Sequence, residues 1–125
     1  MDTIDYQLVE MLQQAADWFM DQEDESMVDR VSITINSGNR CVTHNHKEGG
    51  SKRSRHMKSC AADFKFKYVM HERDANNKQK KILVPPDEVA DYLEKKYIGK
   101  FGIGRYNGRT HFDTSTGPAR RWDVR

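Results

Sequence analysis

The chain has 125 residues, long enough for one compact domain and too short for two of ordinary size. Charged residues make up 32% and hydrophobic ones 36%, so a modest core lies under a strongly polar surface, and 10% aromatics argue against a disordered chain. A formal charge of +2 selects no partner, no run of about 18 apolar residues exists to span a bilayer, and no N-terminal stretch has the order of a secretory signal.

In chain order, Tyr6 to Met20 places Leu8, Val9, Leu12, Ala15, Ala16 and Phe19 at helical spacing, with Asp5 available as a cap. An acidic stretch, Asp21 to Ser26, ends this amphipathic helix, whose apolar face is expected to cover a sheet. Val31 to Ile35 alternates with period two, which predicts a half-buried strand. From Asn39 to Cys60 the chain is polar, with Gly49-Gly50 in its middle and basic residues from Lys47 to Lys58. A loop of this length in a small domain is often functional. Ala61 to Tyr68 resumes strand character, with Phe64, Phe66 and Tyr68 on one face and Asp63, Lys65 and Lys67 on the other. A polar turn follows over 72–80. Pro85-Pro86 then opens a second helix, Asp87 to Ile98, with Val89, Leu93 and Tyr97 on its apolar stripe and Gly99 as its stop. Gly102 to Arg105 and Thr110 to Asp113 read as a hairpin around Asn107-Gly108, and the tail carrying Trp122 as a last edge element. This order predicts an α+β fold, a small antiparallel sheet with flanking helices, rather than a wound βαβ domain. A single domain, 1–125, is expected, with an N-terminal helix and acidic linker over 1–25 and a core over 31–122.

Two sets of residues offer metal chemistry. His56, Asp63 and His111 supply the three nitrogen or oxygen ligands of a catalytic zinc that keeps one position open, but their spacing alone does not select them. Cys41, His44, His46 and Cys60 offer a structural Cys2His2 set, at intervals that match no common zinc finger. The string His44-Asn45-His46 does not define a nuclease by itself. The basic run 47–58 lacks the interleaved aromatic rings of a single-strand nucleic-acid binder, so no nucleic-acid partner is expected.

Several spaced blocks carry a resemblance. They are Ser37-Gly38-Asn39-Arg40-Cys41, Asn45, Gly49-Gly50, Ser54, His56-Met57-Lys58, Ala61-Ala62-Asp63, Gly102-Ile103-Gly104-Arg105-Tyr106, His111-Phe112-Asp113 and Ala119-Arg120-Arg121-Trp122. Together they resemble the zinc D-alanyl-D-alanine carboxypeptidase and L-alanyl-D-glutamate endopeptidase family; many of the endopeptidases are phage endolysins. The resemblance implies a hedgehog/DD-peptidase fold and one catalytic Zn2+ held by His56, Asp63 and His111. It further implies a peptidoglycan stem-peptide substrate, with Arg40 in a catalytic and substrate-binding position and Ser37 beside it. A guanidinium there can fork onto a carboxylate. Asp113 stands two residues past His111, on the same strand face, as candidate proton acceptor or as a partner that orients a histidine. Many relatives carry an acid three residues before the last histidine ligand, where this chain has Gly108; Ser59 and Asn39 also depart from the usual glycine and tyrosine. A monomer is expected, made in the cytoplasm and brought to the cell wall by a holin, a partner or a virion. The alternative function is a non-catalytic virion or wall-binding protein that retains the metal site.

Overall fold

A computed structural model describes the backbone of residues 6–36, 40–44, 57–115 and 117–125, and side chains over 7–36, 61–115 and 117–125. The elements are α1 (Tyr6–Asp21), β1 (Val28–Ile35), β2 (Arg40–His44), β3 (Met57–Arg73), β4 (Gln79–Leu83), α2 (Pro86–Lys96), β5 (Gly102–Arg105), β6 (Thr110–Asp113) and β7 (Arg120–Asp123). The seven strands form one sheet, antiparallel except where β7 runs parallel to β5. With the two helices this is the expected α+β arrangement.

The 17-residue strand β3 is the spine. Phe64 stands opposite both Ile35 and Thr110, so β1 and β6 occupy opposite edges of β3. Ala61 stands opposite both Arg40 and Asp113, and Lys67 opposite both Ser32 and Leu83. Hence β1 and β2 follow one edge, and β6 and β4 the other. Beyond β6 lie β5 and then β7.

Strand alternation divides the sheet into two faces. Ala62, Phe64, Phe66, Ile103 and Phe112 point to the face that is buried with Leu8, Met11, Leu12, Ala15, Ala16 and Phe19 of α1 and Val89, Ala90 and Leu93 of α2. Burying each of the large side chains contributes about 1.5–3 kcal/mol relative to leaving it in water. Val9, expected on the helix stripe, is exposed, and Met11 takes its place, as the 3.6-residue period requires. In α2 the prolines fall at the start, where an N–H would have no partner in any case. Asp87 and Glu88 in the first turn and Lys95 and Lys96 in the last complement the helix dipole. The helix ends at Lys96 rather than Ile98, and Gly99, at φ +74°, redirects the chain.

Three elements differ from the sequence expectation. The stretch expected to be loop from Asn39 to Cys60 contains β2 and the first four residues of β3. The strand expected to end at Tyr68 continues to Arg73, and β4 follows the polar turn. β4 is exposed along nearly its whole length, so burial imposes no alternation on Gln79-Lys80-Lys81-Ile82-Leu83. The β5–β6 hairpin is as expected, but it closes through residues 106–109, with Arg105 opposite Thr110. Asn107 and Gly108 both have negative φ, so this is not the two-residue turn that Asn-Gly favours. The tail is an edge strand: Arg121 pins β7 to the end of α2 through Glu94 Oε2 and the carbonyls of Tyr97, Lys100 and Phe101. Among the described residues no helix is long and apolar enough to cross a membrane.

Candidate metal centre

The face of the sheet turned away from the helices carries two rows of directly opposed residues. One row is Asp63 (β3), His111 (β6), Gly104 (β5) and Trp122 (β7). The next is Ala61, Asp113, Gly102 and Arg120, with the backbone of Arg40 continuing it beyond Ala61. Opposed residues share a face, and so do residues two apart on a strand, so the rows form one patch. The two glycines make it possible. A Cβ on Gly102 would lie 2.5 Å from Asp113 Oδ2, and one on Gly104 would lie 2.4 Å from the Trp122 ring. Their missing side chains leave room for a carboxylate and an indole.

His111 is gripped from both sides. Its Nδ1 is 2.8 Å from Asp63 Oδ1, and its Nε2 is 3.0 Å from Asp113 Oδ2. Asp113 is only 5% exposed. It also accepts hydrogen bonds from Arg120 Nη2 at 2.5 Å and Nη1 at 3.3 Å, and from the Ser115 backbone N–H at 3.2 Å. Trp122 packs its ring 5.1 Å from the imidazole and donates its indole N–H to the Tyr106 hydroxyl at 2.9 Å. Tyr106 in turn carries the Arg109 guanidinium 4.1 Å above its ring centre, and Arg109 Nε stands 3.8 Å from Asp63 Oδ2.

The charges follow from these contacts. Burial pushes Asp113 up, but the hydrogen bonds from His111, Arg120 and the Ser115 backbone, with the Arg120 charge, outweigh it and hold the carboxyl well below the usual range. Burial pushes His111 down, yet the hydrogen bonds and charges of Asp113 and Asp63 overcome it and raise the imidazole above its ordinary value. A neutral imidazole has one N–H and cannot satisfy two carboxylates. With Nε2–H donated to Asp113, the Nδ1 lone pair faces Asp63 Oδ1, and only a proton or a cation between them makes that contact favourable. This donor set fits a metal ion. The observed 2.8 Å is a hydrogen-bond separation, and two ligands of one tetrahedral zinc stand about 3.3 Å apart, given bonds of roughly 2.0–2.1 Å, so the pair would open by about 0.5 Å to hold an ion. A carboxylate on the far imidazole nitrogen is also the usual orienting partner of a metal-ligating histidine.

The expected site residues divide into three groups. Asp63, His111 and Asp113 are brought together. Arg40 is placed by its backbone alone, opposite Ala61 and two residues along β3 from Asp63. His56 and Ser37 lie outside the described residues, and among those described no three-residue metal-ligating group is complete. Cys41 and Cys60 are register partners across β2 and β3, and His44 stands opposite Met57. The side chains of these four residues, and all of His46, lie outside the description.

The family model described as Peptidase M15 matches residues 2–113. The chain belongs to the peptidase M15 family. No curated protein and no solved structure gives a significant match. M15 peptidases are generally zinc-dependent, which accords with a carboxylate and an imidazole facing each other on adjacent strands. The matched region ends at Asp113, so the Arg120 and Trp122 contacts lie outside it.

Sequence reasoning assigned no role to Arg109 or Tyr106 and none to Arg120 as a clamp on Asp113. The alternation Gly102-x-Gly104 was the available signal. Two glycines on one strand face leave space that neighbouring strands must fill, and the fillers are Asp113 and Trp122.

Proposed function

We propose that this M15 peptidase is a zinc-dependent hydrolase of peptidoglycan stem peptides, with His56, Asp63 and His111 as the metal ligands. The observation that carries the reading is the 2.8 Å approach of His111 Nδ1 to Asp63 Oδ1 in a chain matched as Peptidase M15. Bound zinc supplies Lewis acidity, polarising a carbonyl and lowering the pKa of water toward about 7. The chain's own residues prepare the site. Asp113 accepts Nε2–H and so keeps the Nδ1 lone pair of His111 directed at the metal position, while Arg120 keeps Asp113 ionised and in place. Because the Asp113 carboxylate is buried and engaged by three partners, we assign it the orienting role rather than that of proton acceptor. Arg40, on β2, and Ser37 bind the substrate. The site of action is the bacterial cell wall, reached with the help of a holin, a partner or a virion.

Zinc content and the release of amino groups from purified peptidoglycan, compared between the native chain and His111→Ala, test this. One zinc per native chain and amino-group release by the native protein alone is the expected result. Zinc bound without hydrolysis would instead identify a wall-binding protein that keeps the metal site, and the absence of zinc would remove the reading altogether.

A further inference from the structure

Arg109 is unusual among the arginines of this face. Arg120 is spent on Asp113, whereas the Arg109 guanidinium, in a side chain 42% exposed, makes no hydrogen bond among the described residues. Its ion-pair contact among the described residues, Nε to Asp63 Oδ2 at 3.8 Å, is too long for a hydrogen bond. It is nevertheless held in place. The guanidinium lies over the Tyr106 ring, the Trp122 indole N–H is donated to the Tyr106 hydroxyl, and Trp122 itself packs on His111. A stacked guanidinium keeps its N–H fork free and loses little entropy when it is used. Lys65 and Lys67 continue the same face of β3 from Asp63, so this rim is positive.

Position gives the free fork a purpose. Arg109 immediately precedes Thr110, which stands opposite Phe64, whereas Arg40 stands opposite Ala61 on the other edge of β3. The two arginines therefore bracket the Asp63–His111 pair diagonally. We infer that Arg109 anchors a free carboxylate of the peptide substrate, on the opposite side of the Asp63–His111 pair from Arg40. This inference rests on the peptidase reading, in which Asp63 spends its charge on the metal and leaves that of Arg109 for the substrate. In both bonds considered for the stem peptide, the residue after the cut carries such a group. It is the terminal carboxylate of D-Ala in one case and the α-carboxylate of D-Glu in the other.

The test uses the full chain as native protein, Arg109→Gln and Arg109→Lys. The probes are an acetylated peptide ending in D-Ala-D-Ala and an acetyl-L-Ala-D-Glu peptide, each with the carboxylate in question free or amidated. Rates are read with zinc present, and affinities by calorimetry on the zinc-loaded protein with uncleavable versions of the same peptides, N-methylated at the scissile bond. A charge-assisted fork predicts that the native chain prefers the free acid, in KM and in Kd, by about tenfold to a hundredfold. Arg109→Gln is expected to abolish that preference, bringing KM and Kd for the free acid to those for the amide, and Arg109→Lys to restore part of it. Retention of the preference in Arg109→Gln would overturn the inference. So would a loss of zinc affinity with equal effect on acid and amide, because Arg109 would then act only as a partner of Asp63. If no probe is cleaved by any protein, the peptidase reading fails, and equal calorimetric affinities for acid and amide would overturn the role of Arg109 as well.

Discussion

The two faces of β3 use the same backbone alternation for opposite ends. Ala62, Phe64 and Phe66 are fully buried in the core with α1 and α2, whereas Asp63, Lys65 and Lys67 alternate with them on the uncovered side. On the covered face, neighbours fill space with apolar volume: Phe19 meets Phe66 edge-on at 6.1 Å, and Phe112 packs on Tyr97 and Phe101. On the open face, neighbours leave space, and Gly102 and Gly104 admit the carboxylate of Asp113 and the ring of Trp122. One face is thus held by packing and the other by charge. Damage to the first is expected to cost stability, and damage to the second chiefly metal affinity and activity.

The sharpest way to break this division is Phe66→Ala. It removes a fully buried ring and is expected to lower unfolding free energy by about 3–5 kcal/mol in a denaturant titration, whether or not zinc is present. Asp113→Asn acts on the other face. It takes away the carboxylate that orients His111 and is expected to weaken zinc affinity by about tenfold to a hundredfold in a competition titration. Unchanged zinc affinity in that variant would remove the orienting role. Gly104→Ala sits between the two cases. Its new methyl must displace the Trp122 ring, at an expected cost of about 1–3 kcal/mol, with a shift in tryptophan emission as the indole leaves His111.

The smallest expected effect belongs to Tyr68, at the border of the covered face. Burial, with a smaller contribution from Glu23, pushes its phenol up to about 12. A raised folded pKa means that the folded chain holds the proton more tightly. Stability from this group is therefore complete below the ordinary tyrosine value near pH 10 and is lost as pH rises from there through about 12. Tyr68→Phe is expected to flatten the alkaline decline over that window, as read by thermal unfolding at a series of pH values.

Much of the covered face was legible in the sequence because apolar periodicity encodes burial directly. Leu8, Leu12, Ala15, Ala16 and Phe19 specify a helix stripe, and Phe64 and Phe66 specify a strand that meets it. β2 and β4 were not legible. β4 buries almost nothing, and the five residues of β2 lie within a polar stretch whose composition reads as loop. On the open face the i, i+2 spacing set Asp113 beside His111, but spacing does not say which imidazole nitrogen it touches. That required the register of β3, β6, β5 and β7, which assembles the patch from residues 63 to 122. Arg109 was the least legible of all, because its placement depends on a ring stack inside a hairpin loop and on a tryptophan one strand beyond β5.

The proposed hydrolase depends on a metal site on the open face, built on Asp63 and His111. Equilibrium zinc titration of the native chain, Asp63→Ala and His111→Ala, with the His111 ring nitrogens followed by NMR, tests it most directly. One zinc per native chain is expected, with a large shift at His111 Nδ1, Nε2 still protonated toward Asp113, and loss of tight binding in both variants. Zinc bound as tightly by the two variants as by the native chain, or no response at His111, would contradict it.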